Sequence, residues 1–268
     1  MGASGSKKEL TAESHPHHLL QDFHDHHIAK KTPTPGFCCT CGAPPPAEKP
    51  PIDEFKTLIF ALSNAPGCAN LKGREAAQLV TEDNVHHLAF MVIERAAATE
   101  RSEDRTTLAT FLDAIDSLQP IPFAISKTSG LVMKAIDHLS EYATCSPTAD
   151  DVKNRRTLAN LGDFAGKLLA KLDHHAAAPF TERLPAMLEK ACKDGRLLTV
   201  VPLVCNIMQH ISSIGIGDDD VLGMLKEIVE LPTIRLQLEF DIVRLFKQLD
   251  INIETLRTTG RVRSSLGG

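Results

Sequence analysis

The sequence is poor in aromatic residues, with no tryptophan, a single tyrosine and 4% aromatics overall. Proteins that hold single-stranded nucleic acid by base stacking need aromatic side chains as platforms, so this scarcity argues against that mode of binding. The formal net charge of −5 also lacks the basic excess that attracts a protein to phosphate backbones. The composition therefore does not predict a nucleic-acid-binding protein.

Long apolar stretches are missing as well. No run approaches the roughly 18 apolar residues of a membrane-spanning helix, and the N-terminus lacks the apolar core of a signal peptide. Seven cysteines, an odd number without the spacing of a disulfide framework, indicate reduced thiols in the cytosol. The start "MGASGS" matches the N-myristoylation pattern at Gly2, a short pattern that also occurs by chance. We expect a cytoplasmic protein that does not span a membrane.

The first 50 residues differ from the rest of the chain. Six of the twelve histidines lie within residues 15–27, and seven of the sixteen prolines lie within residues 33–51. The apolar residues follow no sustained period, so we expect residues 1–50 to be a flexible, disordered His/Pro-rich arm outside the folded core. A zinc site would need a second ligand pair at regular spacing, and we predict neither a metal site nor a cofactor. The weak candidate ligands are Cys38, Cys41, His24 and His26.

Helical periodicity begins near Pro51 and continues through most of the remaining sequence. It predicts an all-α fold, an α-solenoid of about five HEAT-like helix pairs. We assign residues 51–259 to this domain and residues 260–268 to a flexible tail. The stretch "IRLQLEFDI" alternates like a strand, but its continuation has helical spacing. The predicted helices span residues 53–63, 74–80, 83–98, 104–118, 122–143, 151–173, 181–193, 196–213, 219–230 and 234–249.

One predicted helix, "NRRTLANLGDFAGKLLAKL" at residues 154–172, has an unusual composition. Glycine inside a helix costs about 1 kcal/mol relative to alanine, yet Gly162 and Gly166 lie one turn apart beside a stripe of leucines. Their missing side chains would let a second helix come close, with Asn160 placed to hydrogen-bond a neighbouring backbone. We predict a close helix crossing here and no catalysis, because no activated nucleophile is nearby.

Three sequence blocks resemble one known family. "RRTLANLGDFAGKLLAKL" resembles its R-x-L-x-N-L-G-x-W-L-G helix, "RLLTVVPLVCNIMQHI" its E-L-L-Y-V-V-P-F-V helix, and "LQLEFDIVRLFKQLDINIETL" its C-terminal helix. The blocks occur in the family's order and, with "ATFLDAID", extend the resemblance over residues 52–259. The family is the scaffold (Not) subunit of the CCR–NOT cytoplasmic deadenylase complex, in its deadenylase-binding HEAT domain, which is similar to the middle domain of the initiation-factor-4-gamma scaffold. The matching motif residues are Arg156, Leu158, Asn160, Leu161, Gly162, Gly166, Val200, Val201, Pro202 and Phe240.

The resemblance implies a scaffold without an active site. In this family the domain binds a DEDD-type deadenylase subunit and a DEAD-box RNA helicase, within a larger complex that acts in messenger-RNA decay and translational repression. Other subunits of the complex would be further partners, and contact with RNA would be indirect. Arg95 or Arg105 could replace a basic family residue that holds partners. Arg155 is a third candidate, because a cation at a helix N-terminus opposes the helix dipole.

The sequence departs from the family at several of these positions. Phe164 stands in place of a tryptophan, Ala165 in place of a leucine and Thr199 in place of a tyrosine. A phenylalanine that helps to hold partners has no counterpart near Asp104. The fold is expected to carry over, whereas these changes bear directly on helicase docking.

Two other functions remain open from the sequence. One is a HEAT adaptor that binds translation initiation factors or RNA directly, for which Arg257, Arg261 and Arg263 would supply phosphate contacts. The other is a metal-dependent enzyme that uses the His/Cys arm. The identity of co-purifying proteins would separate the adaptor from the deadenylase scaffold, and metal analysis would test the enzyme.

Overall fold

The computed structural model describes residues 20, 23, 51–119, 123–142, 148–212 and 219–266. Within these ranges the chain forms helices and connecting turns and contains no strand, so the all-α prediction is confirmed. The α-helices are α1 Ile52–Asn64, α2 Ala69–Ala77, α3 Val85–Ala98, α4 Ser102–Asp116, α5 Ala124–Tyr142, α6 Ala149–Leu169, α7 His174–Thr181, α8 Leu184–Lys193, α9 Leu197–Ile211, α10 Asp219–Val229, α11 Leu236–Gln248 and α12 Arg261–Leu266. Short 3-10 turns lie at Pro66–Cys68 and Ile253–Thr255.

The helices pack in two layers, as in an α-solenoid. Helices α2, α4, α6, α9 and α11 contact one another in succession and make one layer. Helices α1, α3 and α5 do the same in the other layer, which α8 and α10 continue. Chain neighbours α1–α2, α3–α4, α5–α6, α8–α9 and α10–α11 also contact each other, which gives the expected helix pairs.

Helix α7 was not predicted as a separate helix. The sequence predicted one helix at residues 151–173 and the next at 181–193, but α6 ends at Leu169. Asp173 then begins α7, because its carboxylate accepts a hydrogen bond from the backbone N–H of Ala176 at 2.8 Å. Aspartate is among the preferred N-cap residues, and this cap explains why the chain starts a new helix instead of extending α6.

A left-handed glycine ends α8 and sets the direction of α9. Gly195 has φ of +67°, a conformation that costs glycine little. The backbone N–H of Arg196 donates to the carbonyl of Ala191 at 2.8 Å across this turn, the hydrogen bond of a Schellman cap. The turn lets α9 fold back along α8 and brings the motif "VVPLV" into the layer with α6.

The C-terminal residues belong to the helical domain through Leu266. We expected a flexible tail from residue 260, but α12 covers Arg261–Leu266 and Val262 is fully buried. The buried carboxylate of Glu227, on α10, accepts hydrogen bonds from the Thr259 hydroxyl at 2.7 Å and from the Val262 backbone N–H at 3.0 Å. This carboxylate caps the start of α12 and holds it against α10.

The apolar core runs through both layers of the solenoid and includes the fully buried rings of Phe111 and Phe164. Two buried members come from the N-terminal region, since Leu20 and Phe23 are part of the same cluster. Our expectation that residues 1–50 contribute nothing to the core is therefore wrong at these two positions. The boundary at residue 50 stays a prediction for the rest of the arm. Outside the described residues lie Gly2, His24, His26, Cys38 and Cys41.

Candidate functional site

The predicted helix crossing joins α6 and α9. A Cβ atom added to Gly162 would lie 2.7 Å from the carbonyl oxygen of Leu203 and 2.8 Å from its Cδ1 atom. A Cβ atom added to Gly166 would lie 2.8 Å from the carbonyl oxygen of Ile207. Both distances are too short for a real methyl group against a backbone, so the glycines allow the contact. The predicted close crossing is confirmed.

Asparagine side chains bind the backbones of neighbouring helices around this crossing. The Asn160 amide donates to the carbonyl of Ala97 on α3 at 3.0 Å. The Asn206 amide on α9 donates to the carbonyl of Ala159 on α6 at 3.0 Å. The role suggested for Asn160 from the sequence is confirmed, and the two bonds fix α6 against helices on both sides.

A buried ionic group, here called the Asp163 cluster, completes this region. Asp163 on α6 accepts from Arg105 Nε of α4 at 2.6 Å and from Lys167 Nζ at 3.2 Å. It also contacts His210 Nε2 of α9 at 2.7 Å. Further donors to the same carboxylate are the Ser102 hydroxyl at 3.0 Å and the Gln209 amide at 3.1 Å. One carboxylate thus ties together three successive helices of one layer.

The electrostatics of Asp163 suit a structural role. Burial alone would raise the pKa of its carboxyl group. Hydrogen bonds from His210 and Arg105, with the charges of Lys167 and Arg105, outweigh burial and hold that pKa well below its ordinary value. Both carboxylate oxygens are already occupied by donors within the protein. The cluster can set the angle between helix pairs, but it presents no free base to a substrate.

The three predicted partner-binding arginines differ in their burial. Arg105 is buried in the Asp163 cluster and also donates to the carbonyl of Thr99 at 2.6 Å. It cannot contact a partner, so its proposed role is wrong. Arg95 is exposed and donates to the Ser63 hydroxyl at 2.7 Å, whereas Arg155 is half-buried. Arg95 remains a surface candidate.

Most family-motif residues belong to the packing core of α6 and α9. Leu158, Leu161, Val200 and Val201 are buried, and Pro202 lies half-buried inside α9. Arg156 is exposed and forms an ion pair with Glu100 at 3.0 Å. These residues explain why the motif is recognisable, because they build the crossing, but they offer little surface to a partner.

Phe240 is different, since it lies on an exposed apolar face of α11. Leu236, Phe240 and Val243 recur at i, i+4 and i+7 and are 82%, 61% and 47% exposed. We call these three residues the α11 stripe. The opposite face of the same helix is buried through Leu238, Ile242, Leu245 and Phe246.

The sequence contained a signal for this stripe. The apolar residues of α11 are too numerous for one buried face, because they occupy both sides of the helix. The helical spacing of Leu236, Phe240, Val243 and Phe246 predicted a helix here, and of these four residues only Phe246 is buried. The charged side chains of Glu239, Arg244 and Lys247 border the stripe and give it a polar rim.

The C-terminal arginines have acidic partners within the domain. Arg261 forms ion pairs with Glu189 and with Asp220, the latter at 3.3 Å. Arg263 forms an ion pair with Glu230 at 3.0 Å. The sequence alternative assigned RNA phosphate contacts to Arg257, Arg261 and Arg263. The structure does not favour that role for Arg261 and Arg263, because carboxylates of α8, of α10 and of Glu230, the residue after α10, match their charges.

Neither a metal centre nor a membrane span emerges from the part of the chain that the structure describes. No group of three or more potential metal ligands comes together there. Among the same residues, each helix is too short or too polar to cross a bilayer.

Cys192 and Cys205 are buried, and burial raises the pKa of their thiols to about 11 and about 12.

Comparison with known proteins bears out the sequence resemblance. Residues 47–266 match the family model described as the CCR4-NOT transcription complex subunit 1 CAF1-binding domain. A search of curated proteins gives no match. The matched residues contain every helix from α1 to α12, including the glycine crossing, the Asp163 cluster and the α11 stripe. The chain therefore belongs to the family of CAF1-binding domains of CCR4-NOT transcription complex subunit 1, scaffold domains that bind the CAF1 deadenylase.

Proposed function

We propose that this domain is a non-catalytic scaffold that holds a DEDD-type deadenylase through the α11 stripe. The observation that carries the proposal is the exposed apolar row Leu236, Phe240 and Val243 in a domain whose family is defined by CAF1 binding. Large exposed apolar patches with polar rims are typical of protein-binding surfaces. In this role the domain would act in cytoplasmic messenger-RNA deadenylation, decay and translational repression, with RNA bound by its partners.

The stripe has the composition of an interaction hot spot. Phe240 is its central residue, and an aromatic ring that becomes fully buried contributes strongly to binding. Arg244 and Lys247 lie beside it and can pair with acidic residues at the rim of a partner. Since the buried face of α11 anchors the helix to α9, the stripe is presented on a rigid support.

Phe240→Asp tests this surface in a binding assay with purified CAF1-type deadenylase. We expect the affinity to fall by about tenfold or more, because a charge would replace the central apolar contact. The matched control is Phe60→Asp on α1, where the ring is 69% exposed at the other end of the solenoid. Unchanged affinity for Phe240→Asp, or an equal loss in the control, would contradict the placement of the deadenylase on α11.

A DEAD-box RNA helicase is the second partner we propose, on the basis of the sequence resemblance. The exposed cation that supports it is Arg95, near the end of α3, while the former candidate Arg105 is buried. Stimulation of helicase ATPase activity by the domain would test the idea, with Arg95→Ala expected to reduce it. Arg74→Ala on α2 serves as a control for loss of positive charge. Equal stimulation by the wild type and Arg95→Ala would exclude Arg95 from docking.

A further inference from the structure

Two apolar residues that precede the family match in the sequence are almost completely buried. Leu20 is 2% exposed and Phe23 is 1% exposed, although the family match begins at residue 47. Both residues have helical backbone and are three positions apart, which is the spacing of neighbours on one helix face. A Leu-x-x-Phe pair from outside the domain is therefore packed into the domain's own core cluster.

The position of this pair on the domain is given by Phe23. Its ring centroid lies 6.1 Å from that of His138 on α5, with the two rings inclined at 42°. Helix α5 is the third of the five helices α1, α3, α5, α8 and α10 in its layer, and it lies well away in sequence from the α11 stripe. His138 is half-buried, whereas Leu131 and Leu139 of the same helix are buried. Phe23 thus lies against α5.

We propose that Leu20 and Phe23 are an intramolecular ligand of the domain, with the Phe23 ring seated against α5. The occupant is this chain's own N-terminal segment, since the structure places Leu20 and Phe23 there. Residues 24–50 are long enough as a tether, because an extended chain spans about 3.3 Å per residue and therefore up to about 90 Å. Tethering raises the effective concentration of the ligand, so two anchoring side chains are sufficient for occupancy.

The site behind this ligand is a peptide-docking surface distinct from the α11 stripe. Phe23 contacts His138 of α5, whereas the α11 stripe lies on a different helix. A second Leu-x-x-Phe helix could occupy the vacated position only by competing with the tethered one. Leu20 and Phe23 consequently compete with any second ligand for this position on the domain.

The test uses the full chain with Leu20→Ser and Phe23→Ser, which vacates the site. A fluorescently labelled peptide of residues 14–30 is added, and its binding is measured by anisotropy. We expect at least tenfold tighter binding to the vacated chain than to the wild type, whose site is already filled. A peptide carrying the same two serines is the matched control and should bind neither protein. Equal binding to both proteins, or no binding to the folded vacated chain, would overturn the proposal.

A second measurement does not depend on how well the vacated chain folds. A protease site is inserted after Lys31 in the otherwise wild-type chain, and the cleaved protein is passed through a gel-filtration column. We expect the fragment of residues 1–31 to co-elute with the domain and to separate when it carries Phe23→Ala. Release of the wild-type fragment would refute docking. Co-elution at twice the monomer mass, measured by light scattering before cleavage, would assign the fragment to a second copy and overturn the intramolecular arrangement.

Discussion

Replacing Gly162 by alanine has two opposite effects on the stability of the domain, one from helix propensity and one from packing. Alanine is favoured over glycine in a helix by about 1 kcal/mol, so propensity alone predicts a more stable domain. The new Cβ atom would lie 2.7 Å from the carbonyl oxygen of Leu203, whereas ordinary van der Waals contact begins at 3.4 Å. A backbone carbonyl cannot rotate away as a side chain can, and α6 and α9 would have to separate.

The expected magnitude follows from these two effects. Overpacking a tight core contact costs about 1–3 kcal/mol, and the backbone contact at Gly162 places this substitution at the upper end. After subtraction of the gain in helix propensity, the net destabilisation is about 2 kcal/mol. For a domain of this size that corresponds to a fall in Tm of about 4–8 °C. Gly162→Leu should destabilise the domain further.

The assay is thermal and urea unfolding of the full chain, followed by circular dichroism at 222 nm. Gly130→Ala is the matched control, because Gly130 lies inside α5 and an added Cβ atom would meet nothing within 4 Å beyond the backbone of its own helix and its chain neighbours. That variant should gain about 0.5–1 kcal/mol from helix propensity. If Gly162→Ala melts above the wild type, the close crossing does not control stability and the packing explanation fails.

Four further outcomes are expected from the ionisable groups. Hydrogen bonds outweigh burial at Asp163 and Glu227 and lower their folded pKa values. Their stabilisation is present above the unfolded pKa of about 4 and should be lost as pH falls towards the folded values, which equilibrium unfolding at pH 2–7 would show. Asp163→Asn should cost about 3–5 kcal/mol by urea unfolding at pH 7, because buried cations lose their counter-charge. Glu227→Gln should accelerate amide hydrogen exchange over residues 259–266 while the α6 amides stay protected. Iodoacetamide at pH 8 should label Cys68 faster than Cys192 or Cys205, whose thiol pKa values burial raises to about 11 and about 12, and equal labelling by mass spectrometry would contradict this.

The glycine crossing was predictable because its signal is local. Gly162 and Gly166 carry a known cost in helix propensity, and a leucine stripe beside them shows where the compensating contact must be. The capped start of α6 at Thr148 is also local, since the hydroxyl accepts from the Asp151 N–H three residues later at 3.3 Å. Features that depend on spacing within one helix could therefore be read from the sequence.

Arg105 was misassigned because its partner is remote in the sequence. It lies in a polar stretch typical of a surface, and its burial depends on Asp163, 58 residues away. Leu20 and Phe23 were missed for a related reason, as two apolar residues among histidines show no period. Helix α12 was missed because its six residues owe their position to the Glu227 carboxylate rather than to their own helix propensity.

The Asp163 cluster has a mechanical consequence for a scaffold. Stacked helix pairs ordinarily contact only their neighbours, so small rotations at each junction add up and bend the whole array. Here the Asp163 carboxylate of α6 binds side chains of α4 and α9, and these bonds restrict rotation at two consecutive junctions in the middle of the array. The exposed ring on α1 and the stripe on α11 are consequently held at a nearly constant separation. Two partners bound at opposite ends would work at a fixed distance, with the domain serving as a rigid spacer between them.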